Sequence, residues 1–337
     1  MKAALLYGKE DIRLEQASLP EMESEGLLIR VLTCGICGSD SRMFFNGPTA
    51  RYINPVILGH EICGEVVEVG PGNTDYRAGD LVGIAPIIPC MHCHACSHGQ
   101  DNICATAKVI GCNVHGAMAE FMYIPSQMVQ VGGAVKLPAG ASHREAALAE
   151  LVGCVRHGLR QVGIEAGDQV LVIGGGPIGA TFVQLARLMG AKVTSSELLP
   201  RRRELALEMG AVEAVDPTAV DLKSRYGYAF DRVIVATASL PATQQTFDLV
   251  RAGGSLLFFS GYLKGATLDI PLNDVHYREL HLHGSIDCTI QDYQNAVSLL
   301  PQLRMGELIT DVFSLGQTAE AFYATRNPEA IKVAIEP

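Results

Sequence analysis

Four cysteines, Cys90-x₂-Cys93-x₂-Cys96-x₇-Cys104, stand inside a stretch studded with glycine and histidine. Neither a core helix nor a strand requires a cysteine at every third position. Thiolates this close in sequence repel one another unless a soft cation shares their charge. Tetrahedral Zn²⁺ with four sulfur ligands meets that need in a reducing compartment. The competing readings are two disulfides or four unrelated buried thiols. Disulfide frameworks belong mainly to small secreted chains, whereas this one has 337 residues and opens on Met1–Ile12 without a signal-like apolar core. Four protein ligands leave no open position for a substrate, so this metal would hold a loop in shape. Chemistry must be sought elsewhere.

Cys37-Gly38-Ser39-Asp40 and Gly59-His60-Glu61 are the candidates. One Cys, one His and one carboxylate make a mixed ligand set with an open position, as catalytic zinc sites have. Singly, each residue has a plainer reading: His60 as a satisfied core imidazole, Cys37 as a packed thiol, Glu61 as a surface acid. Cys34-Gly35-Ile36-Cys37 also has the spacing of a thioredoxin-type redox pair, though no matching βαβ pattern surrounds it.

A third constellation is Gly174-Gly175-Gly176-Pro177-Ile178-Gly179, which follows an apolar strand directly and opens a helix. In that context Gly174 permits the tight turn, Gly176 lets the backbone approach a pyrophosphate, and Gly179 lets helix pack on strand. The helix N-terminus offers free N–H groups and partial positive charge to phosphates. The acid expected at the end of the second strand is Glu197, placed to bind ribose hydroxyls. Its charge repels a 2′-phosphate and favours NAD, while Arg201, Arg202 and Arg203 close behind are what would admit NADP. The plain alternative is a structural glycine turn beside a solvated acid.

These groups have to be held by elements, and the chain changes texture twice. Up to about residue 150 it is rich in Gly and Pro with short apolar runs such as Leu27–Leu32 and Glu65–Val69, the pattern of a strand-rich domain with long loops. From 151 to 287 strand, glycine turn and helix alternate. Val170–Ile173, Lys192–Ser195, Arg232–Ala236, Ser255–Ser260 and Leu280–Ile286 read as strands; Ile178–Met189 and Arg201–Met209 read as helices, with a further helical stretch ending near Arg251. Alternation of this kind predicts βαβ units and a parallel sheet, hence an α/β fold. Residues 288–337 are too few for a domain and are expected to return to the first one. Net charge is −10 with no long basic run, which argues against nucleic acid as a partner. No apolar stretch is long enough to suggest a membrane span. Ten cysteines without an export signal point to the cytoplasm.

Taken together, Gly35-Ile-Cys-Gly-Ser-Asp40, Gly59-His-Glu61, the Cys90/93/96/104 lobe, Gly174–Gly179 and Glu197-x-x-Pro200-x-Arg202 resemble the zinc-dependent medium-chain dehydrogenases over essentially the whole chain. The resemblance implies a GroES-like catalytic domain at 1–150 completed by 288–337, and a Rossmann NAD-binding domain at 151–287. It implies two zinc ions per chain and a homodimer or homotetramer. Cys37, His60 and Glu61 would hold or flank the catalytic zinc, Ser39 would take the alcohol proton, and Arg202 would join the cofactor site. Glu150 matches the acid that approaches the same metal in the polyol branch, where alcohol dehydrogenases usually carry a Cys. The implied activity is hydride transfer between a secondary alcohol of a polyol and NAD. Three departures bear on substrate. Arg42 stands where many relatives carry a proton-relaying His, Asp287-Cys288 replaces an Arg-Tyr pair of sorbitol dehydrogenases, and Leu151 replaces the Pro after the acid. A threonine-type amino-alcohol dehydrogenase, with Asp287 meeting an ammonium, is the alternative enzyme. A retired, NAD-binding protein is the alternative from another class.

Overall fold

The computed structural model describes every residue except Pro20. The chain forms two compact units, one built from Met1–Gly153 and Cys288–Pro337, the other from Cys154–Asp287.

The second unit is a six-stranded parallel sheet. Its strands lie in the spatial order Glu213–Val215, Lys192–Ser196, Gln169–Ile173, Phe230–Val235, Val250–Phe258, His281–Gly284. Numbered along the chain that order is 3-2-1-4-5-6, so the sequence of strands reverses beside Gln169–Ile173, and dinucleotide sites form at such a reversal. Val170, Leu171, Val172 and Ile173 are all buried, because a parallel strand covered on both faces has no polar side to present. Leu171, Val233, Leu256, Phe247 and Leu249 form the core on one face. One element departs from expectation. The helical stretch expected to run to about Arg251 stops at Asp248, and Val250–Phe258 is already strand. Its pairing with Phe230–Val235 shifts register between Phe230 and Arg232. Gly253, at φ +70°, and Gly254 absorb that irregularity, and so the strand starts well before its apolar run does.

The first unit is built on a sheet whose backbone is Leu27–Gly35. That strand pairs with Glu61–Val69 along its length and with Phe121–Ile124 at its start. At its end it pairs with the chain's last strand, Lys332–Glu336. Ile309–Ser314 continues the sheet beyond Lys332–Glu336 on one side, and Leu81–Ile84 and Ala134–Lys136 continue it on the other. A hairpin, Lys2–Gly8 with Asp11–Gln16, joins Val56–Ile57 in a second small sheet. Among the described residues, no helix is long and apolar enough to cross a membrane.

Candidate metal and cofactor sites

The four lobe cysteines converge. Their sulfur atoms all lie within 4.8 Å of one another. Cys93 Sγ stands 3.5 Å from Cys96 Sγ and 3.8 Å from Cys104 Sγ, and Cys90 Sγ stands 4.0 Å from Cys96 Sγ. Four sulfurs at the Zn–S distance of about 2.3 Å occupy tetrahedron corners about 3.8 Å apart, whereas a disulfide would need about 2.05 Å. Local structure makes the convergence possible. Met91, at φ +61°, turns the chain after Cys90, and the single helical turn His94–Ser97 carries Cys96 back towards Cys93. The His92 backbone N–H, followed by the Thr106 hydroxyl, holds the Cys90 thiol well below its ordinary pKa, while burial pushes Cys96 up. The four do not ionise together without a cation, and the donor set fits Zn²⁺.

Cys37 caps the helix Gly38–Asn46, and Asp40 in its first turn accepts from the Cys37 N–H at 3.1 Å. The same carboxylate accepts from the Gly59 N–H at 3.4 Å and stands 3.4 Å from His60 Nδ1. One short carboxylate therefore ties together the two loops that carry Cys37 and His60. Burial alone would lower the His60 pKa, but Asp40 and Cys37 beside it outweigh burial and hold it well above the usual imidazole value. A carboxylate on Nδ1 fixes the ring so that Nε2 is presented to a metal, the arrangement that outer partners of ligating histidines provide.

Glu61 opens the strand Glu61–Val69 opposite Gly35. A Cβ on Gly35 would fall 2.0 Å from Glu61 Oε2, so any larger residue there would displace that carboxylate from its present place. Glu61 and Lys332 are both buried and form an ion pair through Oε1. Glu61 Oε2 is buried without a hydrogen-bond partner. Glu150, also buried, lies in the first turn of the helix Ala149–Val162. Lys332 feels the charges of Glu61, Cys37 and Glu150 together, so the four occupy one electrostatic neighbourhood. Among the described residues the lobe cysteines are the only group of three or more His, Cys, Asp or Glu whose donor atoms all lie within 4.8 Å of one another. Cys37 and His60 face each other directly, while Glu61 turns to Lys332. The N, S and O donors with an unsatisfied buried carboxylate oxygen fit a mixed-ligand zinc. Ser39 is half-buried in the first turn of Gly38–Asn46.

Lys332 and Asp40 received no role from sequence. Lys332 had a signal, because it is the one charge inside Ile331-Lys-Val-Ala-Ile335.

In the other unit Gly174 turns at φ +102° after Ile173, and its N–H donates to Ser196 O at 2.9 Å. Gly176 caps the helix Pro177–Leu188, with Pro177 as its first residue and Ile178 next. A Cβ on Gly179 would lie 1.8 Å from the Gly174 carbonyl oxygen, so that glycine is a packing requirement. At Gly176 the nearest atom to such a Cβ is Arg202 Nη1 at 3.9 Å. The helix start is open, with a guanidinium beside it, and this cradle fits a pyrophosphate. Glu197 accepts from the Gly175 N–H at 2.6 Å and the Leu199 N–H at 2.9 Å. Its carboxylate is thereby fixed over the turn with lone pairs to spare for hydroxyl donors. The three arginines separate in role. Arg201 pairs with Glu204 and Glu208 on its own helix, Arg203 with Asp216 and the Glu197 and Leu198 carbonyls, and only Arg202 faces the turn. Arg42 is exposed beside Gly38, and Asp287 is half-buried at φ +52°.

Residues 23–139 match the alcohol dehydrogenase GroES-like domain, and residues 177–302 match the zinc-binding dehydrogenase domain. The L-galactonate-5-dehydrogenase of Escherichia coli K12 is 30% identical over 98% of this chain and 98% of its own length. The D-arabitol-phosphate dehydrogenase of Enterococcus avium is 31% identical over 98% of this chain and 95% of its own. A solved structure of a putative zinc-binding dehydrogenase from Sinorhizobium meliloti 1021, bound to NADP, superposes with a TM-score of 0.93 at 31% identity, covering 100% of this chain and 99% of that one.

Proposed function

The chain belongs to the family of zinc-binding alcohol dehydrogenases, and on that footing we propose that it interconverts a secondary alcohol of a polyol or sugar alcohol with the corresponding ketone. It is an oxidoreductase acting on CH–OH donors. The observation that carries the site assignment is the contact of Cys37 and His60 around the buried Asp40, beside a Glu61 carboxylate with one unsatisfied oxygen.

When bound, zinc supplies a Lewis acid at the carbinol oxygen and nicotinamide supplies the two-electron acceptor. Cys37 Sγ, His60 Nε2 and a carboxylate oxygen of Glu61 or Glu150 would hold the catalytic ion. Cys90, Cys93, Cys96 and Cys104 would hold the second. Asp40 orients the His60 ring through Nδ1 and keeps both loops in register. Ser39 Oγ accepts the departing alcohol proton and passes it on, a role that Arg42 cannot share because a guanidinium does not titrate near neutrality. Gly174–Gly179 and Arg202 would take the pyrophosphate, and Glu197 the adenine ribose. Glu197 fixed over the turn, with Arg201 and Arg203 tied elsewhere, supports NAD as the preferred cofactor. The reading also assigns the chain to the reducing cytosol, since lobe thiolates must stay reduced to hold a metal.

The departures suggest a neutral polyol as substrate. The resemblance aligns the half-buried carboxylate Asp287 with a positive position of the sorbitol branch, and a like charge there repels phosphate esters. Asp287 also favours a second reading, an amino-substituted alcohol. The test is a parallel screen of neutral polyols, sugar-alcohol phosphates and amino alcohols with NAD and NADP. Turnover of neutral polyols with NAD is expected. Strong preference for a phosphate ester, the substrate type named for the Enterococcus avium relative, would overturn the reading of Asp287. A wide preference for NADP would overturn that of Glu197.

A further inference from the structure

Apart from every residue assigned above, the first unit forms a half-open cavity of about 370 Å³. Its walls come from the strands Lys2–Gly8, Val56–Ile57 and Phe121–Ile124 and from the small ribbon of Ile87–Ile88 with Lys108–Val109. Leu5, Ile57, Ile88, Val114 and Phe121 make it apolar, and its size falls in the ordinary range of small-molecule sites. Lys108, His115, Ser18 and Tyr123 break the apolar lining, and of these Lys108 and His115 can meet an anion. Lys108 has no ion-pair partner among the described residues. Glu23, the acid in its field, accepts instead from the Ser126 N–H at 2.9 Å. His115 Nδ1 accepts from the Ile57 N–H at 3.2 Å, so a neutral His115 carries its proton on Nε2 and remains a donor. No lining residue is acidic, in a chain whose net charge is −10. With Lys108 present and no acid, the lining favours an anion over a cation.

The geometry points to a binding site for a small amphipathic monoanion, a medium-chain or aryl carboxylate. Its apolar body lies against Leu5, Ile57, Ile88 and Phe121, and its carboxylate meets Lys108 and His115. Equilibrium dialysis of labelled octanoate against the full-length, zinc-loaded chain with saturating NAD tests this. One site per chain is expected, with a dissociation constant of about 0.1–1 mM from burial of a short alkyl chain. Val114→Phe, which narrows the cavity, should weaken binding about tenfold or more. Lys108→Gln, at an exposed strand position, should weaken octanoate about tenfold through the lost charge-assisted hydrogen bond. The same variant should leave octanamide, the neutral counterpart, unchanged. No saturable octanoate binding in the unmodified chain overturns the proposal. So does octanoate binding that Lys108→Gln leaves intact, which would put the ligand elsewhere.

Discussion

Lys332 is the residue whose environment most constrains how the candidate zinc site works. It is 5% exposed and its partner Glu61 1% exposed, so neither charge can turn to solvent. Removing one partner of a buried pair leaves an uncompensated charge and typically costs about 3–5 kcal/mol. Lys332→Met should therefore lower the unfolding free energy of the metal-free protein by about that amount, read from urea melts. With zinc bound, Glu61 has a second cation to turn to, and the loss should shrink clearly. Equal losses with and without zinc would mean that Glu61 serves only Lys332. Sequence makes the two residues visible separately, Glu61 in Gly59-His60-Glu61 and Lys332 as a charge in an apolar strand, but not their pairing. They are 271 positions apart, and only the insertion of the last strand beside Leu27–Gly35 brings them together.

At the scale of elements, the lobe and the glycine turn were legible because their chemistry is local. Cysteines three residues apart can only be brought together by a tight loop, and Gly174–Gly179 carries its own steric reasons. The catalytic set was less so, since Asp40 fixes Cys37 and His60 across 20 residues through backbone N–H groups that no spacing rule reports. Strand boundaries near Val250 failed for a related reason: glycine and a register shift carry the pairing where side chains give no signal. The lobe and the Cys37 loop should separate cleanly on mutation. Elemental analysis of chelator-free protein is expected to find about two zinc ions per chain. Cys37→Ala should leave about one, abolish turnover and keep the fold, because the proposed ligand Cys37 sits at a helix cap and closes no loop. Cys96→Ala should lose the lobe metal and damage folding or assembly, since the lobe has little else to hold it. A single zinc that survives Cys37→Ala and vanishes with Cys96→Ala would mean that the mixed site holds no resident metal.

For the whole molecule, the second unit leaves a surface that a lone chain does not explain. His281–Gly284 is the last strand of the six-stranded sheet, with one row of backbone donors and acceptors unpaired by another strand. The neighbouring helix Leu272–Tyr277 buries none of its residues, and Leu272 and Tyr277 are 74% and 80% exposed. Ile286, just past the strand, is 60% exposed. Natural sheets cover, charge or shorten such edges, because an open edge beside apolar side chains templates association. A second copy of the chain would supply the cover by two-fold pairing of this edge with itself, an isologous contact that closes on itself. Sedimentation velocity should therefore show at least a dimer at micromolar concentration. Leu272→Glu with Tyr277→Glu places charges on side chains that contribute nothing to the unit's own core. The double variant should sediment as a smaller species with its melting temperature for the isolated unit unchanged within error. An unaltered sedimentation coefficient in that variant would place the subunit contact on another face, and a monomer in the unmodified chain would remove the need for one.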